Sequence, residues 1–289
     1  MNWSLRLGKL FGIPVRVHWS MLLLVLFLSW GGGVIGVVGS LVAIALLFAS
    51  VVAHELAHAL AARRYGIGTA EILLMPIGGV AKIEREPARG RHEVVIALAG
   101  PAMSLLLAGL AGLLALATAG VPIVHALAAT LASANLMLGL FNLLPAFPMD
   151  GGRVLRGALR ERRGLLAATR VAAKVGRIVA VPMAVAGLAL GSFSLVLVAG
   201  FVWLAGRSEE RVVEARAAWQ QEVPFEAAAR HEPLEAVDAT PFVVDGDAGW
   251  VAPRSAPGPK GAPRAYAVRR GGRRYVVLVG PFGYVIREV

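Results

Sequence analysis

Cysteine is absent from all 289 residues, which excludes disulfides, thiolate nucleophiles and thiolate-ligated metal centres from whatever the chain does. Charge is scarce too. Asp, Glu, Lys and Arg make up 16% of the sequence, where an ordinary soluble domain carries about 25%. No Gly-rich phosphate loop, internal repeat or Ser-His-Asp order stands out, so nucleotide chemistry and serine hydrolysis find no support.

What fills the space is apolar. Hydrophobic residues are 57% of the chain, and they fall into runs approaching the roughly 20 residues that cross a bilayer. The runs predict an all-α polytopic membrane protein of about six transmembrane helices: Val15 to Trp30, Val34 to Ala62, Val94 to Ala119, Val121 to Leu144, Val175 to Leu190 and Ser192 to Ala205. Arg6 and Lys9 precede the first run as in a secretory leader, but no small-residue cleavage pattern follows it, so it reads as a retained helix.

Lys and Arg number 29 against 18 acidic residues, an excess that sits in the connections. Arg63, Arg64, Lys82, Arg85, Arg89 and Arg91 follow the second run, and Arg153, Arg156, Arg160, Arg162, Arg163, Arg170 and Lys174 follow the fourth. The turns at Gly31–Gly33, Gly120–Pro122 and Gly191 carry no charge. Alternating basic and neutral connections predict six spans with both termini in the cytoplasm, and they explain the positive balance without nucleic acid.

Between the second and third runs, Glu71 to Ile83 is too apolar for a solvated loop and predicts two short strands around a Gly78-Gly79 turn, lying at the membrane surface or dipping into it. From Ser208 charges interleave with Ala and Val as in an amphipathic helix leaving the membrane. Pro241 to Val251 and Ala265 to Val279 then predict two β-hairpins separated by a Pro/Gly-rich stretch. The expected domains are a membrane domain, 1–207, and a small β-rich cytoplasmic extension, 208–289.

His54-Glu55-Leu56-Ala57-His58 lies near the end of the second run. Two histidines four apart on a helix project from one face and can bind one Zn²⁺, with the intervening Glu placed to act as general base. An incidental pattern on a surface helix is the competing reading. Leu41 to Ala53 is almost wholly apolar, however, and ionisable groups at membrane depth are expensive without a functional partner. A catalytic zinc takes three protein ligands and keeps one position open. The best third ligand is Asp150, because Pro145 and Pro148 break the fourth run and let its carboxylate turn back towards the bundle. A helix cap or turn residue before Gly151-Gly152 is the alternative for Asp150.

The early HExxH, the later Asn142-Leu-Leu-Pro-Ala-Phe-Pro-Met-Asp150-Gly-Gly element and the Gly-Gly hairpin together resemble the site-2 protease family of intramembrane zinc metalloproteases, in the branch of the sporulation sigma-factor processing protease. The resemblance runs from about Leu5 to Ala205. It implies regulated intramembrane proteolysis: hydrolysis of a peptide bond in or near a transmembrane segment of a membrane-protein substrate, often a membrane-tethered transcription factor or anti-sigma factor. It also implies one zinc per chain held by His54, His58 and Asp150, with Glu55 as base. Asn142 matches the family Asn, placed to orient substrate or stabilise an oxyanion or else to bond between helices. Gly78 and Gly79 match the hairpin that approaches the active site and can pair with an unwound substrate.

Two departures stand out. Ser104 follows Gly100-Pro101 where an Asn is usual, and neither nucleotide-sensing CBS repeats nor a PDZ insertion is recognisable. The expected partners are the bilayer and a membrane-protein substrate, with a homo-oligomer left open. A catalytically silent adaptor of the same fold is the alternative, although neither the Glu nor a ligand is missing. His18, Trp19 and Trp30 read as interfacial anchors, while His92, His125 and His231 lack ligand-spaced partners and read as packing or solvent-facing residues.

Overall fold

A computed structural model describes residues 4–21, 33–75, 78–222, 235–236, 244–245, 249–250, 264–270, 273–280 and 283–288. The chain divides into two compact units, Met1–Glu210 and Arg211–Val289. The first is mostly helical with one sheet. Its elements run β1 (Ser4–Leu10), β2 (Ile13–His18), α1 (Gly33–Arg63), β3 (Thr69–Met75), β4 (Gly78–Ile83), α2 (Gly90–Ala117), α3 (Pro122–Asn142), α4 (Asp150–Ala189) and α5 (Phe193–Glu222), the last running on into the second unit.

Among the described residues four helices are long and apolar enough to cross a membrane: Leu41–Arg63 of α1, then α2, α3 and α4. Leu106, Leu110, Leu113 and Leu116 recur along α2 at helical spacing and are exposed, as expected of a stripe that meets lipid rather than water. The helix ends follow local chemistry. Pro122 starts α3 where a missing N–H costs nothing, and the N–H of Gly90, first in α2, donates to Glu161 Oε1 at 2.9 Å. Pro145 and Pro148 fall between α3 and α4, where they end the one helix and separate it from the next.

Three expectations about the helices need correction. Val15 to His18 belongs to strand β2, not to a first membrane helix; its alternation puts Ile13 and Val15 in the core while Pro14 and Arg16 are only half-buried, the period of a strand. The rest of that run, 22–32, lies outside the described residues. The fifth run is the distal part of α4, which begins at Asp150 and is broken at Gly164, whose φ of 75° is open to a residue without Cβ. The sixth run and the charged segment after Ser208 form one helix, α5, rather than a span followed by a separate helix.

The sheet has the order β1-β2-β3-β4. β1 pairs antiparallel with β2, β2 parallel with β3, and β3 antiparallel with β4. Met75 pairs with Gly78 and Leu74 with Gly79, so the two glycines belong to β4 and not to the turn expected there. One face of the sheet, Ile13, Val15, Ile72 and Leu74, buries itself with Ala59 and against Val51, Val52 and Leu56 of α1. The sheet therefore lies along the turns of α1 that carry the HExxH motif.

In the second unit β5 (Glu235–Ala236), β8 (Arg264–Arg270), β9 (Arg273–Gly280) and β10 (Gly283–Glu288) form a sheet of order β10-β9-β8-β5, and β6 (Val244–Asp245) pairs with β7 (Gly249–Trp250). The two expected hairpins correspond to β6-β7 and β8-β9. His231 and Trp30 lie outside the described residues.

Candidate metal centre

His54 and His58 are one turn apart on α1, and Asp150 is the first residue of α4. All three are buried, at 3%, 5% and 7% exposure. Their ligand atoms converge: His54 Nε2 and His58 Nε2 are 3.2 Å apart, and each is 3.2 Å from Asp150 Oδ2. Among the described residues this is the group of His and carboxylate side chains able to hold a metal ion.

The far nitrogens decide which atoms face inwards. His58 Nδ1–H donates to the Ile96 carbonyl at 2.7 Å, so its Nε2 carries a free lone pair. His54 Nδ1 meets Ser104 Oγ at 2.8 Å, and the hydroxyl can accept that N–H. Two lone pairs and a carboxylate oxygen then point at one another without protons between them, an arrangement that a shared cation makes favourable. Tetrahedral ligands about 2.0 Å from zinc would stand about 3.3 Å apart, close to the spacing observed, so these residues fit a zinc ion. Second bonds of this kind orient metal-ligating imidazoles generally.

Gly100 is the residue the sequence undervalued. A Cβ there would collide with the Nε2 atoms of both His58 and His54, so α2 can pass this close to the imidazoles only as glycine. Its Gly-Pro setting is visible in the sequence, but nothing local shows that the imidazoles of another helix lie against it. Ser104, fully buried on the same face one turn later, supplies the polar contact to His54.

Glu55 points from α1 to the sheet, where its Oε2 accepts the Ala81 N–H of β4 at 3.1 Å. Gly79, two residues before Ala81, has no room for a side chain: a Cβ would stand 2.6 Å from Glu55 Cγ and 3.1 Å from Val51 Cγ1. Gly78 has a φ of 138° and open space around it. Asn142 is half-buried, and its Nδ2 donates to Leu138 O of its own helix at 2.9 Å, so the structure does not join it to the three-ligand group. His92 stacks on Tyr65 at 4.1 Å and His125 bonds Ala115 O, both packing roles.

A family model described as Peptidase family M50 matches residues 42–134 and 118–186. A zinc metalloprotease of Methanocaldococcus jannaschii is 40% identical over 222 residues, 74% of this chain and 62% of the relative. Stage IV sporulation protein FB of Bacillus subtilis is 32% identical over 119 residues, 40% of each chain. This chain spans less than two thirds of the length of these curated relatives. The solved structure of a site-2 protease from Methanocaldococcus jannaschii has a TM-score of 0.54 and 38% identity, covering 72% of this chain and 95% of that one.

Proposed function

Because the chain belongs to peptidase family M50, the zinc metalloprotease family of the site-2 proteases, we propose that it is an intramembrane zinc endopeptidase. It hydrolyses a peptide bond in or near a transmembrane segment of a membrane-protein substrate, in the manner of regulated intramembrane proteolysis. The carrying observation is the convergence of His54, His58 and Asp150 within apolar helices, beside a carboxylate held by the sheet.

His54, His58 and Asp150 hold the zinc. When bound, zinc supplies Lewis acidity towards a water and towards the scissile carbonyl. Glu55 is the base. With Oε2 engaged by Ala81, Oε1 takes the proton from the attacking water and returns it to the leaving amine nitrogen. Gly78, Gly79 and the outer edge of β4 receive the substrate as an added strand, which matters because an intact α-helix hides its peptide bonds. Asn142 orients the substrate or the developing oxyanion. Six spans with both termini in the cytoplasm put the HExxH end of α1 and the start of α4 on the cytoplasmic side, with 208–289 as a cytoplasmic extension. A membrane-tethered transcription or anti-sigma factor is the substrate class this topology serves.

Elemental analysis of the detergent-purified chain tests the ligand set. The expected result is near-stoichiometric zinc in the wild type and in Glu55→Gln, less in Asp150→Ala, and none in His54→Ala/His58→Ala. Zinc absent from the folded wild type, or indifferent to all three residues, would sink the reading.

A further inference from the structure

Outside the candidate metal centre the most buried charges among the described residues belong to a cluster that joins three helices. Arg156 on α4 is 6% exposed and Glu93 on α2 is 4% exposed. Arg156 Nε donates to Glu93 Oε1 and Nη1 to Glu209 Oε1 of α5, each at 2.5 Å. Arg160, one turn on, stands 3.5 Å from Glu93 Oε2 and donates to Pro87 O, so two cations balance two carboxylates. A buried ion cluster is weak evidence for stability, since apolar residues of the same volume often do as well; fixing a register is its best-attested use.

What this cluster fixes lies at the start of α4. Arg156 is six residues after Asp150 on that helix, and its guanidinium sits 5.3 Å from the centre of the Phe147 ring. Phe147 is fully buried with Ala172 and Ala173, and its backbone lies directly on the first turn of α4: a Cβ on Gly152 would stand 2.8 Å from Phe147 N. On the α2 side, a Cβ on Gly157 would stand 2.7 Å from Gly90 O. That close approach sets how near this turn of α4 lies to α2, and Arg156 ties the same turn to a carboxylate on either side. We infer that Arg156, clamped between Glu93 and Glu209, is a positioning residue for Asp150, holding the third ligand at its distance from the two histidines and making that distance depend on α5 through Glu209.

The inference rests on the reading of Asp150 as a zinc ligand. Glu209 is the partner to probe, because its side chain is 36% exposed and Glu209→Gln leaves the buried Arg156–Glu93 pair intact. Glu210 is the matched control: it ties α5 to α4 through Arg177 at 3.3 Å without touching Arg156. Zinc affinity of the full-length purified chain, measured by competition with a chromophoric chelator, is expected to fall about tenfold in Glu209→Gln, the size of effect seen when a group behind a metal ligand is changed. Arg156→Lys, which keeps the charge and loses the two-sided reach, falls at least as far, and Glu210→Gln is unchanged. On an Asp150→Ala background Glu209→Gln has no further effect, whereas general loosening of the bundle would persist there.

Unchanged affinity in Glu209→Gln, an equal loss in Glu210→Gln, or a loss that survives Asp150→Ala overturns the clamp while leaving the ligand set standing. Affinity indifferent to Asp150→Ala itself overturns both.

Discussion

A single methyl group on Gly100 would enter the space between the two imidazoles. Mid-helix Gly→Ala otherwise favours the helix by roughly 0.5–1 kcal/mol, so Gly100→Ala is expected to fold and to lose zinc, read by elemental analysis beside circular dichroism. Ser104→Ala removes the partner of His54 Nδ1 and should weaken zinc by about 10–100-fold; Ser104→Asn, restoring an acceptor, should recover part of that in the chelator assay. The sequence made the three converging residues legible, because HExxH and a Pro-flanked Asp are local patterns with a chemical reason. Gly100 and the Ile96 carbonyl were not legible. One acts by what it lacks and the other through its backbone, and both matter only once α2 packs on α1.

At the scale of elements, the helices after residue 33 followed from apolar runs, but their ends did not. A run cannot say that α4 begins at Asp150, because seven basic residues from Arg153 to Lys174 hide a helix whose buried residues, apart from Asp150 and Arg156, are Gly, Ala and Thr. Strand β2 is hidden in the sequence for a related reason: Val15 to His18 adjoins an apolar run and merges with it, although its alternation is present. The sheet offers its own test. Glu71 of β3 is held below the usual glutamate range by the hydrogen bond from Lys82 and by the nearby charges of Lys82 and Arg16. A depressed folded pKa contributes stability that is present above the unfolded value of about 4.3 and lost as pH falls through the folded one. Amide-exchange protection in β3 and β4 should therefore drop between pH 6 and pH 3 in the wild type. Glu71→Gln should start lower and change less over that window.

For the molecule as a whole, a zinc ion held by the proposed ligands would join α1 to α4, elements far apart in sequence, and so should stabilise the fold by mass action. An excess of free zinc at 100 times its dissociation constant contributes about 2.7 kcal/mol. Chelation is expected to lower the Tm of the detergent-solubilised wild type and to leave that of His54→Ala/His58→Ala unmoved; equal shifts in both would mean the chelator acts elsewhere. The absence of cysteine helps a second test at this scale, since any single introduced cysteine is the sole thiol. Placed near Ala57 it should react with an aqueous thiol reagent, because the proposed hydrolysis inside lipid needs a water path to Glu55. Protection in every state would contradict that path.

The separation of the ligands along the chain also has a consequence in time. His58 and Asp150 are 92 residues apart, and a ribosome adding about 5–20 residues per second needs on the order of ten seconds to travel between them. During that interval the histidine pair exists without its carboxylate, and the clamp from α5 is later still. Under the proposed function the order of synthesis would work as a timer: the nascent chain would pass among other unfinished membrane segments before it had a complete centre with which to cut them.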